Sequence, residues 1–167
     1  DKTIYIAGDS ITVTVVLKDA QDNFITDGVV QLNEENVQVR NADPIQGNNW
    51  VYNGNGIYQR QYMAHFAEAN LNAQLKMTGW SDANYSNSYM IKPGEVSMLR
   101  SQLRIREVLV VAGADIPVSV LLADEFGNPV NDGLDLLTDD AVYLQNVEKK
   151  HWSSWTFVGD GRYERTY

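Results

Sequence analysis

The chain has 167 residues, no cysteine, two histidines and a formal net charge of −9. Lack of cysteine excludes disulfide scaffolds, thiolate zinc sites, thiol nucleophiles and iron–sulfur clusters, and the acidic balance excludes the Lys/Arg-rich face that nucleic acid requires. No apolar run approaches the roughly 20 residues of a membrane-spanning helix, no basic-then-apolar N-terminus marks a signal peptide, and what remains is a soluble acidic module.

In chain order, Ile11, Val13, Val15 and Leu17 alternate with Thr12, Thr14, Val16 and Lys18, the period-2 pattern of a half-buried strand. An acidic turn follows, Asp19-Ala20-Gln21-Asp22-Asn23. Farther on, Asn53-Gly54-Asn55-Gly56 turns the chain between Trp50 and a run carrying Tyr58, Arg60 and Tyr62. Residues 65–75 have room for a helical turn, but the alternation of Leu71, Ala73, Leu75 and Met77 predicts a strand. Lys92-Pro93-Gly94-Glu95 reads as a linker. Beyond it, Ile116, Val118, Val120 and Leu122 repeat the first strand face, and Gly127-Asn128-Pro129 and Gly159-Asp160-Gly161 repeat the turns. No stretch holds a helical period over helical length. Short strands at this spacing predict antiparallel β-sandwiches.

The two halves are copies. Displaced by 105 positions the chain aligns with itself without a gap, and 19 of the 56 positions from Ala7 to Tyr62 are identical. The expected domains are 1–92, entered partway into its first strand, and 93–167. The second copy ends at Tyr167, the counterpart of Tyr62, so it is expected to lack the equivalent of 63–92. Its strand edges would then be exposed unless further residues or a neighbouring chain cover them.

The pattern Ala-Gly-x-x-Ile-x-Val-x-Val-x-Leu-x-Asp, then Asn-x-x-x-Asp-Gly, Trp and Gly-x-Gly-x-Tyr resembles bacterial Ig-like domains of the intimin/invasin type. Asp124–Val130 keeps the Asp-x-x-Gly-Asn-Pro-Val signature, whereas the first copy departs from it at Asp22 and Phe24. The resemblance implies an all-β fold of tandem immunoglobulin-like β-sandwiches, the second incomplete at its C-terminus. It further implies a non-enzymatic segment of an inverse autotransporter adhesin, a rigid stalk or spacer displayed outside the bacterial cell and anchored in the outer membrane through a β-barrel that lies elsewhere; the alternatives are a domain that itself binds a host protein or glycan, and an accessory Ig-like module of a secreted polysaccharide-active enzyme. A cysteine-free chain suits export through such a barrel. The partners implied are neighbouring Ig-like domains and a host cell-surface protein or glycan. The motifs are structural, so they carry fold more than ligand.

Each candidate site has a structural alternative. Asp19, Asp22, Asn23 and Asp27 have the oxygens that calcium wants, yet Asp and Asn also close tight turns, and the turn is the preferred reading. No other cofactor is expected. Gly54, Gly56, Gly159 and Gly161 read as hairpin glycines rather than a phosphate loop, because a Tyr-bearing strand follows and not a helix. Trp50, Trp155, Tyr58 and Tyr163 recur in both copies, which favours a packing role over a sugar platform. Arg60 and Arg165 share the inward face of the tyrosines and need a carboxylate or an aromatic ring. The unrepeated groups are the better partner candidates: Lys149, Lys150, His151 and Trp152 in one cluster, and Trp80, Tyr85 and Tyr89 at the end of the first copy. Catalysis has little support. The pairs Glu34-Glu35 and Asp139-Asp140 are strand neighbours that point to opposite faces, and nothing arranges Ser153 or Ser154 with His151 as a nucleophile.

Overall fold

A computed structural model describes residues 3–106 and 109–167. The chain divides into two compact units, Asp1–Lys92 and Pro93–Tyr167, and among the described residues there is no α-helix, only strands and two short 3-10 turns.

The first unit holds β1 (Ile4–Ile6), β2 (Ser10–Val16), β3 (Val37–Val39), β4 (Ala42–Pro44), β5 (Val51–Tyr52), β6 (Ile57–Ala64), β7 (Glu68–Leu71), β8 (Ala73–Leu75), β9 (Asn84–Tyr85) and β10 (Tyr89–Lys92). One sheet runs β2-β6-β4, with β5 also on β6; opposite it lie β3-β8-β9 and β1-β10-β7. The β2–β6 ladder is antiparallel and sets Ile11 against Tyr62, Val13 against Arg60 and Val15 against Tyr58. That register turns one alternating face of both strands inward. Ile11 and Tyr62 pack with Val39, Leu71, Tyr89 and Ile91, and Val15 and Tyr58 pack with Leu17, Val37, Trp50 and Met77. The core of a sandwich is thus filled from both layers, as period-2 patterning demands.

The predicted strand from Leu71 to Met77 is two strands. β7 pairs with β10, whereas β8 pairs with β3 and β9. Asn70, at φ 58, bends the chain just before the break. Leu71 and Met77 are nevertheless buried, as the alternation requires.

The second unit forms β11 (Gln102–Ile105), β12 (Pro117–Leu121), β13 (Thr156–Gly159) and β14 (Arg162–Thr166), one sheet in the order β11-β12-β14-β13. Its core of Val118, Val120, Leu122, Val130, Val142, Trp155, Tyr163 and Tyr167 reproduces the β2–β6 side of the first unit. Val142-Tyr143-Leu144, the counterpart of β3, is not a strand. In the first unit that segment is held by β8, and no described residue of the second unit plays that part.

Candidate functional site

The repeated residues form one framework, built twice. Tyr58 and Tyr163 are wholly buried. The Tyr58 hydroxyl donates to Ile25 O at 2.7 Å and accepts the Gly28 N–H at 2.9 Å. Tyr163 donates to Val130 O at 3.0 Å and accepts the Gly133 N–H at 2.9 Å. Each phenol thereby ties a strand to the loop that crosses its end, saturating two backbone groups that no ladder reaches. The glycine turns repeat to the same degree. Gly56 and Gly161, at φ +66 and +68, accept the amides of Leu17 and Leu122, and a Cβ on either would lie 2.5 or 2.4 Å from the carbonyl of that same leucine. Gly54 and Gly159 also have positive φ but face open space.

The two arginines turn inward with their partners. Arg60 donates to Asn48 O at 2.9 Å, reaches Glu34 at 3.4 Å and lies 5.7 Å from the centre of the Tyr62 ring. Arg165 meets Asp139 at 2.6 Å and lies 5.3 Å from the Tyr167 ring. The ion pair with Arg165 holds the Asp139 carboxyl below its ordinary range, and burial pushes the Tyr62 and Tyr167 hydroxyls up. Glu34 and Asp139 are counterparts in the repeat, and each sits outside an inward-turned arginine, partly buried at Arg60 and buried at Arg165. Trp50 and Trp155 are buried at matching places, and neither indole N–H has a partner among the described residues. Apolar packing alone holds them.

The acidic turns are occupied by their own backbone. Asp19 accepts Gln21 N–H, Asn23 N–H and the Asn23 side-chain amide at 2.8–2.9 Å, and that side-chain bond, first among these, lowers its carboxyl. Asp22 pairs instead with Lys18 at 2.8 Å. In the second unit Asp124 is only 1% exposed. It accepts Gly94 N–H, Phe126 N–H, Asn128 N–H and the Asn128 amide at 2.7–2.9 Å. Burial alone would raise this carboxyl, but those four bonds outweigh it and the group lies below its ordinary value. Among the described residues no cluster of three acidic or histidine side chains stands ready for a metal ion.

The unrepeated candidates separate. Trp152 is 75% exposed, with the Lys150 ammonium 4.9 Å above its ring. That lysine also pairs with Asp115, and Lys149 lies against Asp139 O and 3.6 Å from Asp140. Both cations of the basic cluster are therefore partly spent on nearby acids. Trp80 and Tyr85 are exposed, and no ring contact joins them among the described residues. Tyr89 is not a surface group. It is 8% exposed, its hydroxyl donates to Arg40 O at 2.6 Å, and burial pushes it up to about 12. Its side chain points inward because β10 lies between β1 and β7, with Ile91 on the same face.

No family model matches the chain. Over 134 residues, 79% of its length, it is 31% identical to the inverse autotransporter adhesin YeeJ of Escherichia coli strain K12. The chain is homologous to that inverse autotransporter adhesin. It spans 6% of the length of that relative. Among solved structures, the Escherichia coli adhesin FdeC aligns over 99% of the chain and 52% of its own, at TM-score 0.45 and 21% identity. Domains 5–6 of the S-layer protein SbsC align over 99% and 78%, at TM-score 0.30 and 16% identity.

Residues kept at both copies are the ones that build the sandwich, while Trp152, Trp80 and Tyr85 fall outside the framework. Two groups escaped sequence reasoning. Glu34 and Asp139 were legible only as acidic pairs, and their role follows from standing beside an inward arginine. Asn41 and Asn146, at φ +57 and +60, form a matching left-handed corner, and the one signal for it was an Asn kept at the repeat offset.

Proposed function

We propose that the chain is a surface-exposed, outer-membrane-anchored adhesin's stalk, in which residues 1–92 and 93–167 are successive non-enzymatic Ig-like modules that carry a distal binding element away from the cell. The observation that carries this reading is the recurrence of one framework in both units, with the hydrogen bonds of Tyr58/Tyr163 and Gly56/Gly161 repeated and Arg60 and Arg165 each turned inward beside an acid, joined to the 31% identity with an adhesin of the inverse autotransporter class. A spacer is built by repeating one module; a receptor site needs only one.

A second reading, direct contact with a host protein or glycan, rests on exposed Trp152 with Lys150 above it, and on Trp80 and Tyr85. Small-angle scattering and binding to host cells and a glycan array distinguish the two. An extended particle that binds nothing supports the stalk. Saturable binding abolished by Trp152→Ala would replace it with direct adhesion.

A further inference from the structure

In the sheet of the second unit, Val118, Val120, Tyr163 and Arg165 are buried on the inner side, so strand alternation turns Ser119, Leu121, Arg162, Glu164 and Thr166 to the outer side. β11 sets Arg104 opposite Ser119 and Gln102 opposite Leu121, and β14 sets Glu164 opposite Ser119 and Arg162 opposite Leu121. Arg106 reaches Glu164 at 3.4 Å, which puts it on the same side. Arg104, Arg106 and Arg162 are all exposed. Within the four strands the one acid on this face is Glu164. A chain of net charge −9 thus gathers positive charge on one sheet face.

These charges are neither neutralised nor repeated. Arg104 donates through Nε and Nη2 to the neutral Gln102 amide oxygen, at 3.2 and 2.6 Å. Among the described residues neither Arg104 nor Arg162 has a carboxylate partner, whereas Lys149, Lys150 and Arg165 of the same unit each pair with an acid. At the repeat offset the first unit has Ile57 for Arg162, Gln59 for Glu164 and Thr14 for Ser119, and Gln59 donates to the Thr14 hydroxyl at 3.1 Å. That unit carries its opposite layers, β3-β8-β9 and β1-β10-β7, and the same outer face is still open, with Thr12, Thr14, Val16 and Gln61 exposed. Openness is therefore a property of this side of the sheet, and the arginines are what the second unit adds to it.

We infer that this face is a docking surface for a sulfated polysaccharide. A guanidinium presents a planar fork of donors that fits two oxygens of one oxyanion. Arg104 and Arg106 stand about 7 Å apart along the strand, and Arg162 lies two strands away, roughly 10 Å across the sheet. An extended polyanion laid obliquely over the strands meets all three. The hydroxyls of Ser119, Thr156 and Thr166 lie between them on the same face and offer partners to sugar hydroxyls. Nucleic acid fits less well, because the face has no aromatic ring among the described residues on which a base could stack. The contact uses one face of one module and not Trp152, so it holds independently of whether the modules act as a stalk.

The probe is a heparin decasaccharide added to the full chain and followed by calorimetry. Saturable binding is expected, about tenfold weaker in 150 mM than in 50 mM salt, as roughly three ion contacts require. Arg104→Gln combined with Arg162→Gln should weaken it by about tenfold or more. Glu164→Gln, which frees Arg106, should tighten it, and this opposite sign keeps the test decisive if the arginine variant folds poorly. Lys18→Gln combined with Lys76→Gln removes the same charge from the first unit and should leave binding within about twofold. Trp152→Ala should leave it unchanged as well, which separates this result from direct adhesion through Trp152. Equal binding by a desulfated decasaccharide, equal loss in the two double variants, or weaker binding in Glu164→Gln would each overturn the proposal. So would tighter binding to a DNA duplex or to anionic vesicles, or no saturation at 1 mM in 50 mM salt.

Discussion

Removing one oxygen atom tests whether the paired tyrosines hold each unit together. In Tyr163→Phe the ring stays and the hydroxyl goes, so the Gly133 N–H at 2.9 Å and the Val130 carbonyl at 3.0 Å lose their partner together. Water cannot easily replace it, because Tyr163 and Gly133 are both buried and a Cβ on Gly133 would already stand 2.6 Å from the Leu122 side chain. Stranding a buried donor costs about 1–3 kcal/mol, which for a unit of this size corresponds to a melting shift of roughly 4–20 °C. Tyr58→Phe meets the same geometry through Gly28 and Ile25, and its cost should agree with that of Tyr163→Phe within about 0.5 kcal/mol. Urea unfolding should move in midpoint at constant slope. Native-state hydrogen exchange localises the effect: Gly133 loses protection in Tyr163→Phe while Gly28 keeps it, and the reverse holds for Tyr58→Phe. A loss below about 0.5 kcal/mol in both variants, or equal loss of protection at both glycines, would refute the assignment of the hydroxyl as each unit's own tie.

Two further outcomes follow from the same geometry. Gly56→Ala must place a Cβ 2.5 Å from Leu17 O at φ +66, whereas Gly54→Ala pays only for its dihedral, since its surroundings are open at φ +88. The second should cost about 1–2 kcal/mol and the first clearly more, and equal urea midpoints would sink the steric argument. Asp124 gives the pH dependence: its folded carboxyl lies below the unfolded value of about 3.9. Its contribution is therefore complete above the unfolded value and is lost as pH falls through the lower folded one. Asp124→Asn would turn an amide donor toward the Gly94 N–H and the Asn128 amide, which share one oxygen of the native carboxylate. At neutral pH it should cost about 1–3 kcal/mol, and acid titrations followed by circular dichroism should show the difference from the native chain shrinking as pH drops below 4. A constant difference down to pH 2 would count against the charged group.

Most of the fold was legible because its signals are local. Period-2 alternation set the inward face of β2 and β12, and a glycine that no Cβ can replace marked each hairpin. The arginines were legible as a problem rather than a solution: an alternating pattern that points a charge inward demands a partner, and a ring and a carboxylate both answer it. What escaped depends on non-local pairing. Residues 71–77 keep one alternating pattern yet serve two sheets, since alternation reports which side a residue faces and not which strand lies beside it. Tyr89 was misjudged for the same reason. A tyrosine near a chain of polar residues reads as surface until β1 and β7 are known to flank it.

The comparison of Val37–Val39 with residues 142–144 makes the point from the other direction. The two segments share Val-x-aliphatic chemistry and occupy the same place in the repeat, and only the first is a strand. β-propensity is a measure of fit to a neighbouring surface rather than a backbone preference, and β8 is the neighbour that the first segment has.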